Sequence, residues 1–155
     1  MKWDENFRYT QTLGEIEKLF FRTSMKKVYL AGQPKQYDEW KTSFENIQGF
    51  DFYDPDIDSD QSSPNTFFPQ DLKAVSEADF LIANPGIAPS EGTWIEVGYF
   101  LALNTKAPGE KCNNLIIIWK KERVNWSLEF VKMAGHIVSN VDEAIIKLKE
   151  IQNQK

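Results

Sequence analysis

Asn114 to Trp119 reads NLIIIW, and its Leu115–Trp119 part is an unbroken run of five apolar residues. A strand with no polar alternation has no face to give to solvent, so it has to be covered on both sides, as strands of a parallel sheet are. The rest of the chain must then supply further strands and the crossover helices that cover them. It does so in order. Lys27 to Ala31 (KVYLA) reads as a strand ending at Gly32, and Phe50 to Tyr53 as a short strand running into Asp54-Pro55. Asp79 to Ala83 (DFLIA) is a third strand, closed by Asn84-Pro85-Gly86, and residues 136–138 are a last short one. Between them, Trp40, Phe44 and Ile47 fall on one helical face of residues 35–47. The spacing predicts further helices over 67–77 (with Pro69 in the first turn), 91–104, 126–134 and 141–152, and a polar loop over 54–66. A helix followed by β-α-β-α-β-α-β-α-β-α predicts an α/β fold, a doubly wound five-stranded parallel sheet with helices on both faces. Ligands of such sheets bind beyond the carboxyl ends of the strands, where Gly32, Asp54 and Asn84 are expected.

The chain has 155 residues, room for one domain. Residues 1–25 stand apart: Trp3, Phe7, Leu13, Ile16, Leu19 and Phe20 recur at roughly helical spacing. The expected division is an N-terminal helical extension over 1–25 and the sheet domain over 26–155, with the apolar face of the extension packed on the domain or on a second subunit. A net charge of −5 argues against a nucleic-acid backbone as partner. No apolar run is long enough to cross a bilayer, and no basic segment followed by an apolar one opens the chain. The only cysteine, Cys112, can form neither an internal disulfide nor a cysteine-rich metal site. The expectation is a cytoplasmic protein with no membrane partner.

Glu96 is the most informative residue. It lies in TWIEVGYFL at 93–101, and its helical neighbours Gly92, Thr93, Tyr99 and Phe100 carry no positive charge. A carboxylate on a buried helix needs compensation from elsewhere, so Glu96 either reaches solvent or a distant arginine, or it belongs to a site. Ser90 is placed to cap the same helix, whose first N–H groups could also receive an anion or a sugar hydroxyl. Asp71, near the expected start of the 67–77 helix, reads locally as a favourable first-turn acid. The aspartates at 54, 56, 58 and 60 suggest a calcium loop, but Ser59 and Asn65 stand where its Gly and Glu are required. No phosphate loop, dinucleotide fingerprint or zinc-protease motif is present, and the single histidine, His136, opens a strand. Any catalysis has to rest on carboxylates, and no metal or cofactor is expected.

Taken together, VYLAG at 28–32, FYDPDID at 52–58, QDL at 70–72, EADFLIANP at 77–85 and PSEGTWIEVGY at 89–99 resemble the nucleoside 2-deoxyribosyltransferase family and its deoxynucleoside monophosphate N-glycosidase relatives. The resemblance spans about residues 27 to 150. It implies a flavodoxin- or Rossmann-like fold and cleavage or transfer of the N-glycosidic bond of a nucleoside or nucleotide. Glu96, in the Gly92-x-x-x-Glu96-x-Gly98-Tyr99 context, would be the nucleophile and Asp71 the general acid/base. Tyr29, Gly32 and Gln33 would line the base and sugar pocket with Asp54, Asn84, Ser90 and Gly92. Ser90 stands where transferases often carry an acid and the monophosphate hydrolases a serine near the phosphate. The resemblance also implies a homo-oligomer, at least a dimer, in which a neighbouring subunit completes the pocket. Phe130 falls near that place, with Asn125 and Ser127 close by. Two other readings stay open: a nucleotide-derived ligand sensor without turnover, and an NAD-type glycohydrolase. Retention of both acids argues against loss of turnover.

Overall fold

The computed structural model describes residues 14–19, 25–34 and 38–155. The expected extension therefore falls mostly outside the described residues. Residues 14–19 are helical (α1), with Ile16 and Leu19 exposed. The domain begins with β1 (Lys26–Gly32), followed by a 3-10 turn at Trp40–Phe44 and β2 (Phe50–Tyr53). Then come α2 (Pro55–Asp58), α3 (Pro64–Glu77), β3 (Phe80–Asn84) and α4 (Glu91–Asn104). The remainder is β4 (Leu115–Ile118), a 3-10 turn at Asn125–Ser127, α5 (Leu128–Ala134), β5 (His136–Val138) and α6 (Val141–Asn153).

The five strands among the described residues are all parallel, in the order β2-β1-β3-β4-β5. The doubly wound sheet expected from the alternation is the one observed. Successive side chains leave a strand on opposite faces. Val28, Leu30, Phe80, Ile82, Ile116 and Ile118 therefore build one core layer with Trp40, Phe44 and the Ala144, Leu148 and Ile151 face of α6. Tyr29, Ala31, Leu81, Ala83, Leu115 and Ile117 build the other with Val75 of α3, Val97 and Phe100 of α4, and Val131 of α5. The four β4 residues Leu115–Ile118 are fully buried, as the unbroken apolar run requires.

Two local expectations change. In place of a helix over 35–47, the described part of that segment holds only the short 3-10 turn at Trp40–Phe44, whose Trp40 and Phe44 rings meet edge to face in the core. The polar stretch 54–66 is not one loop: it contains α2 and the start of α3. Asp54 caps α2 by accepting from the Asp56 N–H (3.0 Å), and Ser63 caps α3 by accepting from the Asn65 N–H (3.1 Å). Pro64 takes the first-turn position assigned to Pro69, which lies inside the helix.

The chain order reverses between β1 and β3, which part beyond Gly32 and Asn84 to open a crevice. Gly32 has φ +152°, and a Cβ there would meet the Asn84 carbonyl oxygen at 2.3 Å. Neither the conformation nor the space admits another residue. Gly32→Ala is expected to lower stability by about 2–3 kcal/mol, read as an earlier midpoint in urea unfolding with an unchanged slope.

Candidate active site

Beyond the β1 and β3 ends lies a cleft of about 400 Å³, within the range of small-molecule sites. Gly32, Gln33 and Pro34 enter it from β1, Pro55, Asp56 and Gln61 from the α2 region, and Phe67 and Asp71 from α3. Pro89 and Ser90, with Glu91, Gly92, Thr93 and Glu96 of α4, form the remaining wall. The two acids singled out in the sequence thus share one cleft, Asp71 from α3 and Glu96 from α4, both on this face of the sheet.

Glu96 is half-buried on α4, one turn beyond buried Thr93. Its Oε1 accepts from the Tyr29 hydroxyl at 2.8 Å. Tyr29 comes from the middle of β1, is fully buried, and stacks on Tyr53 of β2 at 5.5 Å between ring centroids. The nucleophile expected from the resemblance is therefore held from beneath by the sheet. Burial pushes the Glu96 carboxyl up to about 7; the Tyr29 hydrogen bond opposes that shift, and the Asp71 charge adds to it. The Tyr29 phenol is pushed well above its usual range, first by burial and then by the Glu96 charge.

Asp71 is buried in mid-helix rather than in a first turn, because α3 starts at Pro64. Burial raises its carboxyl, while the Ser59 hydroxyl and the Lys41 charge pull it back. Its Oδ1 is buried without a hydrogen-bond partner in the protein, and so is the Ser90 Oγ. Buried polar atoms normally have partners, so orphans on a cleft mark where a polar ligand would bond. Ser90 occupies the N-cap position of α4, but its side chain makes no capping hydrogen bond; only its carbonyl joins the helix, accepting from the Trp94 N–H at 3.1 Å.

Other expected residues stand elsewhere. Tyr29 sits behind Glu96 rather than on the cleft wall. Asn84 is fully buried, its Oδ1 accepting from the Gly86 N–H at 3.3 Å and its carbonyl from the Gln33 N–H at 3.2 Å. Asp54 is turned away to Lys41. Gln33, which is on the wall, donates from Nε2 to the Pro85 carbonyl at 3.2 Å and so ties the two strand ends together.

Sequence reasoning missed Lys41 and Arg123. Lys41 is buried and bridges Asp54 (3.0 Å) and Asp56 (2.9 Å). Arg123 donates to the carbonyls of Pro85 (3.3 Å), Gly86 (2.7 Å) and Ala88 (3.4 Å), and its guanidinium lies near the Trp94 and Trp119 rings. It fixes the loop leading into the Ser90 end of α4. Among the described residues no group of three His, Cys, Asp or Glu side chains is placed to hold a metal ion, and no helix is long and apolar enough to cross a membrane.

Phe130, the residue near the place of the expected neighbouring-subunit contact, is largely exposed on α5. The Ser127 hydroxyl donates to the Val124 carbonyl at 3.2 Å.

No family profile matches this chain, and no curated protein does. Solved structures that share its fold include the following two. The CMP N-glycosidase BcmB of Clostridium botulinum is 24% identical with a TM-score of 0.53, over 80% of this chain and 98% of that one. The solution structure of BlsM is 17% identical with a TM-score of 0.56, over 84% of this chain and 91% of that one. At these identities the likeness is one of fold.

Proposed function

We propose that this protein cleaves the N-glycosidic bond of a nucleoside or nucleoside 5′-monophosphate through a glycosyl-glutamate intermediate. The observation that carries the reading is the pair of carboxyl groups, Glu96 and Asp71, facing one cleft at the carboxyl ends of the strands, with Glu96 held by Tyr29. The shared fold with a CMP N-glycosidase supports it, as does the PSEGTWIEVGY segment.

In the first step a Glu96 carboxylate oxygen bonds to the anomeric carbon as the C–N bond breaks. The electron pair leaves with the base, and protonated Asp71 gives it a proton. The burial that raises Asp71 favours the form that donates. In the second step water attacks the anomeric carbon, Asp71 takes the water's proton, and Glu96 departs as the carboxylate. A second base in place of water would give transfer. The buried Tyr29 hydroxyl, donating to Oε1, keeps the Glu96 carboxylate in place and stabilises its charged form. The test is chromatography of products after incubation with a panel of nucleosides, 5′-monophosphates and NAD, with and without an acceptor base. Release of free base from a nucleoside or monophosphate is expected. A folded protein that binds these compounds and turns over none would support the sensor reading, and turnover of NAD alone the glycohydrolase reading.

The working form is a homo-oligomer in this reading. Ile95, Tyr99 and Leu103 fall at i, i+4 and i+8 on α4 and are exposed, as are Trp126, Phe130 and Met133. Beside them is an apolar groove of about 570 Å³ lined by Trp94, Val97, Leu101 and Phe130 among others. Exposed apolar side chains beside an apolar groove favour a protein interface, and a second copy seated there would lie next to the helix that carries Glu96. Light scattering at micromolar concentration is expected to give a multiple of 18.0 kDa, and a Trp126→Ala/Phe130→Ala variant the monomer mass. A wild-type mass of one chain would reject the assembly.

A further inference from the structure

Lys41 is a buried lysine beside the core residues Trp40 and Phe44. Its side chain is 2% exposed, and its Nζ lies 3.0 Å from Asp54 Oδ1 and 2.9 Å from Asp56 Oδ2. A buried ammonium is tolerated only when paired, and breaking such a pair costs far more than an exposed one. The two carboxylates it bridges have different stations. Asp54 is turned inward and caps α2, while Asp56 faces the cleft.

The rest of the segment is tied to the same point. The Asp58 Oδ2 accepts from the Asp54 N–H at 2.8 Å, and the Pro55 carbonyl accepts from Ser59 Oγ (2.7 Å) and Gln61 Nε2 (2.8 Å). Residues 54–61 thus form a hydrogen-bonded wall, and Lys41 ties the start of that wall to the turn packed by Trp40 and Phe44. The Lys41 charge also draws both Glu96 and Asp71 towards their ionised forms.

We propose that Lys41 is a positioning residue of the cleft: by bridging Asp54 and Asp56 it fixes the Asp56 carboxylate on the cleft wall, where that carboxylate accepts a hydrogen bond from a hydroxyl of the bound sugar. The identity of the ligand rests on the glycosidase reading; the positioning does not. A carboxylate has lone pairs enough to accept from Lys41 and from a hydroxyl together.

Two arms test this. The first needs no substrate: amide hydrogen exchange is compared in wild type, Lys41→Arg and Lys41→Met/Asp54→Asn. The double variant removes one charge of each sign, so that the fold is kept. Exchange across 54–61 is expected to quicken about tenfold in the double variant, with little change in β1 or β3 and little change in Lys41→Arg. The second arm uses whichever compound of the nucleoside and monophosphate panel is turned over. Lys41→Met/Asp54→Asn and Asp56→Ala should each raise KM about tenfold with a smaller change in kcat, the loss of one charge-assisted hydrogen bond. Adding Asp56→Ala to the double variant should cost little more, since both act through one carboxylate. Unchanged exchange over 54–61, or a wild-type KM in the double variant, would overturn the proposal. If no compound of the panel is turned over, the glycosidase reading fails and the exchange arm alone decides for or against Lys41.

Discussion

Glu96→Gln is expected to lower kcat/KM about 10⁴-fold, the scale of losing a nucleophile that acts as a unit with its partners. The amide keeps the shape and can still accept from the Tyr29 hydroxyl, so the 2.8 Å contact and the fold survive. What is lost is the anionic oxygen that bonds to the anomeric carbon. The pH dependence follows from the same group. Its carboxyl is pushed up to about 7, and the attacking form is the carboxylate, so wild-type kcat/KM should fall below about pH 7 as the group takes up its proton. Stability moves in the other direction. The folded protein holds this proton more tightly than the unfolded chain, whose value is near 4.5. Folding therefore loses stability as pH rises from about 4.5 to about 7, and the loss is complete above that. Glu96→Gln has no such loss and should melt at or above the wild-type temperature at pH 8. A variant that keeps wild-type turnover would remove Glu96 from the chemistry.

Asp71→Asn comes next, with about a 10³-fold loss expected, within the range for removing a general acid. An amide has no proton to give to the departing base. The loss should therefore shrink sharply on substrates whose leaving group needs no proton, such as a nitrophenyl glycoside, where nucleophilic attack carries the step. Equal losses on both kinds of substrate would make Asp71 a binding residue. Stopped-flow comparison of base release with overall turnover separates the two steps.

The sheet was legible because its strongest signals are local: an unbroken LIIIW run and strand–turn signatures at VYLAG and FLIANP, whose alternation with helical spacing points to one fold class. Glu96 was legible for a related reason, since an acid among apolar helical neighbours is costly wherever the helix packs. The errors came where two signals of one kind competed. Pro64 and Pro69 both suit a helix start, and only the Ser63 cap, used in the structure, decides for the first. That choice moves Asp71 from a first turn, where an acid is ordinary, to mid-helix, where its burial calls for a function. Lys41 was not legible at all. Its partners lie 13 and 15 positions on, and the contact exists only because a short turn replaces the longer helix that the 35–47 spacing predicts. Whether Tyr29 faces the cleft or Glu96 depends likewise on which face of β1 meets α4, a matter of packing between elements rather than of sequence period.

The Tyr29–Glu96 hydrogen bond has a bearing on how this scaffold could change over evolutionary time. The Glu96 carboxylate, the nucleophile of the proposed reaction, is oriented by a core strand, and Asp71 rides on a helix packed against that same core. The surfaces that would meet a substrate's variable parts belong to the strand-end turns and the 54–61 wall. On the proposed mechanism, reactivity and selectivity are therefore written on separable pieces of chain. Loops can drift, lengthen or be exchanged while the bond-breaking geometry stays fixed by the sheet. A library randomised only in those loops should yield altered substrate scope at a high frequency of folded, active clones, whereas one randomised around Tyr29 should yield mostly inert ones.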